Sequence, residues 1–256
     1  MTEKVGVAMN RASTDKAGET IPGRPRRSRA FMIGAMLFLT AVFIALGTWQ
    51  VQRLFWKLDL IARIDARIHA PPVPAPGPSD WANITAKNDE YRRVTASGTL
   101  DYDKDVLVQA VTERGPGFWV MTPLQQPDGA TILINRGFVP KDRHGRAVRA
   151  AAEVAGNATI TGLLRMSEPG GAFLRSNDPD AGRWYSRDVA AIAAAEHLHN
   201  VAPYFIDADA TENRGGLPVG GLTVVCFRNT HLFYAITWYL LALMSVAAAY
   251  AVRMPI

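Results

Sequence analysis

Two long stretches of this chain carry no formal charge. The first runs 23 residues from Ala30 to Gln52 and is mostly Ala, Leu, Phe, Ile, Met and Val. The second runs 24 residues from Asn229 to Val252, interrupted only by His231. A helix needs about 20 apolar residues to cross the hydrocarbon core of a bilayer. Residues 30–52 and 229–252 therefore predict two transmembrane helices, and their length weighs against helices buried in a soluble domain. Past the first span, Leu54, Leu58, Ile61, Ile64 and Ile68 recur at spacings of three and four, with Arg, Lys and Asp between them. That period predicts an amphipathic helix over 53–69, continuing out of the membrane. It ends at the Pro-rich segment 71–78, which reads as a stiff linker.

The middle of the chain changes period. Short β-type runs are predicted at Tyr91–Gly98, Val106–Thr112, Phe118–Pro123, Thr131–Val139, Thr159–Leu164 and Tyr204–Asp207. The turn Gln126-Pro127-Asp128-Gly129 joins two of them as a hairpin. One Ala-rich helix is expected from Asp188 to His197, capped by Asp188 or Ser186. The fold class is thus a membrane protein with two transmembrane α-helices flanking a β-rich, barrel- or sandwich-like α+β extracytoplasmic domain. Its parts are a basic tail at 1–29, a first span at 30–52, a β-rich domain at 53–228, a second span at 229–252 and a short tail at 253–256.

Charge sets the orientation. The net charge is +5, yet residues 53–228 hold twenty basic and twenty acidic groups, and residues 1–30 hold seven basic and three acidic. All the excess lies at the ends, which leaves no basic surface for a phosphate backbone and excludes a nucleic-acid partner. The run Arg24-Pro25-Arg26-Arg27-Ser28-Arg29 should stay cytoplasmic by the positive-inside rule, with both termini inside and the middle outside. The first apolar stretch is longer than the 7–15 residues or so of a signal-peptide core, and no small-x-small cleavage site follows it, so an uncleaved anchor is expected. Glu3, Asp15 and Glu19 speak mildly against a mitochondrial transit peptide. The bacterial inner membrane is the first reading and the mitochondrial inner membrane the alternative.

Little of the polar sequence announces chemistry. Cys226 is the single cysteine, so neither a disulfide nor a two-thiol copper or redox site can form within the chain. Asp101-Tyr102-Asp103-Lys104-Asp105 opens like a calcium loop but has Val106 for the turn glycine and Thr112 at the bidentate position, so a solvated turn is expected. His197 and His199 read as last-turn residues that favour the helix dipole. No Walker loop, GxGxxG, GxSxG or HExxH occurs. His231 stands apart, because an ionisable group at membrane depth is costly and is a functional candidate by default. Two readings remain open for it: an interface residue beside an aromatic belt, or an axial ligand that holds a haem. Tyr234, Trp238 and Tyr239 follow it at i+3, i+7 and i+8, near one helix face on which a flat macrocycle could stack. The first span offers Ala41, Ala45 and Thr48 as a small face for close helix packing, to meet Ala235, Ala242 and Ala249.

Six ordered blocks then resemble one family. They are Leu46 to Arg53 with Trp56-Lys57; Tyr91 to Val94 with Gly98; Gly117 to Pro123; Ile134 to Pro140; Arg187-Asp188; and Asn229 to Leu232 running into Tyr234-Ala235 and Thr237-Trp238-Tyr239. The chain resembles the surfeit locus protein one (Surf or Shy) family of cytochrome c oxidase assembly factors, from about Leu46 to Tyr250. It departs at Phe138, where many relatives carry Trp.

The resemblance implies a two-helix inner-membrane protein that aids maturation of oxidase subunit I and is served by the haem a synthesis machinery. It implies haem a as transiently bound cargo, with His231 as axial ligand of the haem iron and Trp238 as the family's membrane tryptophan; Tyr234 joins them as a stacking residue. Arg92, Arg93, Asn135 and Arg136 are expected to supply turn chemistry and strand-edge charge, with oxidase contact as their alternative. Three functions compete: a haem-holding chaperone, a structural scaffold that holds no haem, and a haem-modifying enzyme. The last is weakest, since a substrate haem and a redox haem would need several intramembrane histidines. No catalytic residue is expected.

Overall fold

The structure is a computed structural model that describes residues 26–171, 175–223, 225, 227 and 229–254. The tail through residue 25, Cys226, Arg228 and the last two residues lie outside the described part. The chain divides into two compact units. One holds the residues up to Leu54 together with those from Thr230 on, and the other runs from Phe55 to Asn229.

The first unit is helical. Helix α1, Arg26–His69, has 44 residues, those to Leu54 in this unit and those from Phe55 in the other, so the predicted span and the amphipathic extension are one element. Ala, Leu, Met, Arg and Gln recur along it, Gly34 and Gly47 are its two glycines, and no proline enters before Pro71 stops it. Helix α5, His231–Arg253, has 23 residues and starts at the histidine itself. Both helices are long and apolar enough to cross a membrane by length and composition.

Among the described residues the second unit is built on seven strands. They are β1 (Val73–Pro74), β2 (Arg93–Leu100), β3 (Val106–Thr112), β4 (Gly115–Gln125), β5 (Thr131–Pro140), β6 (Asn157–Met166) and β7 (Val201–Ala208). Their order in the sheet is β1-β2-β6-β7-β5-β4-β3, and β2 also pairs with β4. That extra pairing, Thr99 with Gln125 and Leu100 with Leu124, closes β2, β6, β7, β5 and β4 into a ring. Of the two expected architectures, the barrel is therefore the one formed. Gly98 makes the closure possible, since a Cβ there would strike the Gln125 carbonyl. Alternation does the rest: Val94, Ala96 and Leu100 of β2 point inward and are buried.

Strand β5 pairs with β4 on one side and runs parallel to β7 on the other. It is buried from Thr131 to Val139, which explains the apolar run Ile132-Leu133-Ile134 and means that Asn135 and Arg136 must find partners inside. The predicted hairpin at Gln126–Gly129 forms, with the Gly129 amide donating to the Gln126 carbonyl at 3.0 Å. Short helices α2 (Ala86–Asp89) and α3 (Arg146–Arg149) decorate the loops. Helix α4, Val189–Ala195, is capped as expected, the Asp188 carboxylate accepting from the Ala191 amide.

Three expectations need correction. The Pro-rich segment is no free linker. Val73 and Pro74 add a parallel edge strand to β2, and the Pro76 carbonyl accepts from buried Tyr204 at 2.7 Å and from Trp81 at 3.0 Å. His197 and His199 lie beyond α4 rather than in its last turn. Its C-cap is Glu196, and His197 turns into the left-handed region at φ 50°. The Asp101–Asp105 segment is a 3-10 turn, but Asp105 is buried and paired, not solvated.

Candidate functional site

The helix pair meets along a seam of period 3.5. On α1 the more buried positions are Met36, Thr40, Phe43, Gly47 and Gln50; on α5 they are His231, Ala235, Trp238, Ala242, Ser245 and Ala249. Spacings of four and three on both helices are the pattern of knobs-into-holes packing. The two run antiparallel, as three pairs show: Met36 with Ser245, Phe43 with Trp238, and Gln50 with His231. Ala235, Ala242 and Ala249 are the α5 contact residues, as expected. The α1 side of the expectation fails at Ala41 and Ala45, which are exposed, and holds at Thr48, whose hydroxyl meets that of Tyr239. The close approach is made instead at Gly47, where an added Cβ would come within 2.9 Å of the Tyr239 ring.

Helices packed within a bilayer would gain little from hydrophobic burial against each other, so there small residues and polar bonds would carry the association. Polar bonds link this pair along its length. The Ser245 hydroxyl donates to the Met36 carbonyl at 2.8 Å, and Thr48 and Tyr239 share a hydroxyl contact at 3.2 Å. At the N-terminal end of α5, His231 Nδ1 lies 2.8 Å from Gln50 Oε1. A carbonyl oxygen can only accept, so the ring nitrogen donates, and a neutral imidazole then carries its lone pair on Nε2. Gly47→Val is expected to lower the thermal midpoint of the detergent-solubilised protein by several degrees, while Ala45→Leu leaves it unchanged. Circular dichroism melts compare the two, and equal midpoints would refute the seam.

The aromatic residues divide. Trp238 stacks on Phe43 with centroids 5.8 Å apart and planes 25° apart, so one indole face belongs to the seam. Tyr239 is tied to Thr48. Tyr234 is half exposed and touches only Phe233 edge-on among the ring contacts of the described residues. The groups at this end of the pair are therefore His231, with Gln50 bonded to it and the exposed Tyr234 three residues on along α5. Gln50 escaped sequence reasoning. Its signal was available: a polar side chain at the end of the stripe Met36, Thr40, Phe43 and Gly47.

The barrel carries two buried charge clusters. The first centres on Asp207, only 2% exposed. The parallel register sets Asn135 beside it, and its carboxylate accepts from Asn135 at 2.7 Å, Arg187 at 3.0 Å, Arg165 at 2.9 Å and Thr223 at 2.8 Å. Glu168 binds both guanidiniums, and Glu90 binds Arg165 at 2.8 Å. Both arginines lie over the Phe205 ring. Burial alone would lower the Arg165 pKa, but Asp207 and Glu90 hold it above its ordinary value. A cavity of about 550 Å³ opens beside the pair, lined in part by Tyr91, Trp119 and Thr223. With every guanidinium nitrogen of Arg165 and Arg187 bonded to a carboxylate, the cluster is a completed network rather than a receptor for an anion.

The second cluster joins Asp105 to Arg149 at 3.2 Å and to Arg136 at 3.7 Å, with Tyr102 under the Arg136 guanidinium. Burial raises the Asp105 pKa and outweighs the Thr122 hydroxyl and both arginines; burial also lowers that of Arg136, against Asp105 and Tyr102. These charges are thus less completely compensated than those around Asp207. The expectation of edge charges fails here, since Asn135 and Arg136 sit buried in interior strand β5. Arg92 serves a turn, paired to Asp89 at 3.3 Å, as expected. Period-two reading could not see these clusters, because partners such as Asn135 and Asp207 lie far apart in the chain.

Residues 37–243 match the SURF1 family. The chain is 37% identical to surfeit locus protein 1 of Rattus norvegicus over 226 residues, covering 82% of this chain and 72% of that protein. It is 33% identical to surfeit locus protein 1 of Homo sapiens, covering 93% and 83% respectively. A SURF1-like protein of Monosiga brevicollis is 36% identical, with 83% and 84% covered.

Proposed function

The chain belongs to the SURF1 family, and from that premise we propose that it is a cytochrome c oxidase assembly factor. In this reading it spans the membrane twice, holds haem a on its helix pair and assists insertion of the haem into subunit I. Its partners are subunit I, the haem a synthesis machinery and the lipid bilayer. One observation carries the reading: His231, bonded to Gln50 at the start of an apolar helix, places an imidazole, a side chain that binds iron, at the end of the helix seam.

The donor set suits the cargo. Haem a carries a long farnesyl tail, which lipid-facing helices would accommodate, and an iron that takes a neutral imidazole. Tyr234, half exposed one turn along from His231, offers a ring to the macrocycle. Trp238 acts partly through the seam, keeping α5 seated on Phe43. The chain's task is to bind, orient and release, and the haem supplies the chemistry only after transfer.

A scaffold without haem is the second reading, and the same contact favours it, since His231 and Gln50 also latch the two helices together. Colour separates the two. Protein purified after co-production with the haem a pathway is expected to show a haem absorption spectrum and to yield haem a on extraction. Colourless protein that still supports oxidase assembly would leave the scaffold.

The membrane is proposed to be the bacterial inner membrane, with the mitochondrial inner membrane as the alternative, and both termini on the side that holds the basic tail. Alkaline phosphatase fused after Pro140 should be active and the same reporter after Ile256 inactive. The reverse pattern would overturn the orientation.

A further inference from the structure

The seam of the helix pair ends on a bond between two polar side chains, and that bond has a directional consequence. Gln50 lies on the α1 stripe, three residues past Gly47, whose bare backbone lets the Tyr239 ring of α5 approach. The close approach lets the amide reach across and place Oε1 at 2.8 Å from His231 Nδ1. In apolar surroundings an amide oxygen without a donor is costly, so the bond restrains both side chains. An imidazole whose Nδ1 proton is taken by a carbonyl has a set tautomer and a restricted ring rotation, and its Nε2 becomes the stronger donor to a metal.

We propose that Gln50 is a positioning residue: its side-chain carbonyl holds the His231 Nδ1 proton and so presents Nε2 to the haem iron. The proposal rests on the haem-holding reading above and adds to it the group that orients the ligand. Gln50 itself touches no iron. It acts through the ring of His231.

Two measurements test this, one without haem. In apo protein with ¹⁵N-labelled histidine, the His231 ring is expected to carry its proton on Nδ1, and in Gln50→Leu the population should move towards Nε2–H. In haem titrations, Gln50→Leu should bind about 10–100-fold more weakly than wild type, the usual loss when a ligand's hydrogen-bond partner is removed. Gln50→Glu keeps an acceptor, so it should restore binding and shift the reduction potential of the bound haem downwards, because a carboxylate makes the imidazole a stronger donor. Should Gln50→Leu fail to fold, the wild-type tautomer and the Gln50→Glu potential still decide. An Nε2–H tautomer in wild type, wild-type affinity in Gln50→Leu, or an unmoved potential in Gln50→Glu each overturns the role of Gln50 while the haem reading stands. Wild-type protein that takes up no haem yet shows Nδ1–H overturns the haem reading, and with it the purpose assigned here to the bond.

Discussion

Protein carrying His231→Ala, co-produced with the haem a pathway, is expected to purify almost free of haem. The substitution removes the proposed iron bond and leaves the rest of the seam in place: Phe43 on Trp238, Ser245 on the Met36 carbonyl, and the packing at Gly47. Trp238→Ala should reduce retention less, because it loosens the pair without touching the iron ligand. The ratio of haem absorbance to protein, read across wild type and both variants at equal protein recovery, makes the comparison. Full haem occupancy in His231→Ala would falsify the ligand assignment and leave the latch as the whole role of His231. Loss of both haem and soluble protein in His231→Ala, with Trp238→Ala intact, would instead favour the latch.

The largest stability effect is expected in the barrel, at Asp207→Ala. That change leaves Arg165 and Arg187 without their shared acceptor and strips Asn135 and Thr223 of theirs. Removing one side of a buried ion pair costs about 3–5 kcal/mol, most of it the penalty of the charge left behind. Glu168 and Glu90 remain to hold the two arginines, which places the expected loss towards the lower end of that range. Denaturant unfolding of the full-length protein in detergent, followed by tryptophan fluorescence, gives the number, since Trp119 and Trp184 both pack in the barrel unit. Asp178→Ala, which removes an exposed partner of Arg183, is the control and should leave the midpoint where it is. A loss in Asp207→Ala no larger than in this control would show that the network is ornamental.

Some of this could be read from the chain and some could not, and the division follows the range of the forces. The uncharged stretches, the amphipathic period over Leu54 to Ile68, the Asp188 cap and the Gln126–Gly129 turn depend on residues a few positions apart, so amino-acid order alone determined two apolar helices around a β-rich middle. It also singled out His231, because an ionisable residue inside an apolar run stands out locally. What only the tertiary structure decided was which surfaces meet. Ala45 and Gly47 are both small, and nothing local says which of them faces α5; the antiparallel seam chooses Gly47. Asn135 and Arg136 look like edge polar residues in one dimension. They are interior because β5 is flanked by β4 and by β7, which brings Asp207 from far along the chain. Gln50 acquires its meaning in the same way, since a hydrogen bond 2.8 Å long is set by the packing of two helices that are separated by the whole barrel in sequence. Local periodicity determines elements; the burial of charges and the aim of an imidazole follow only once those elements have packed.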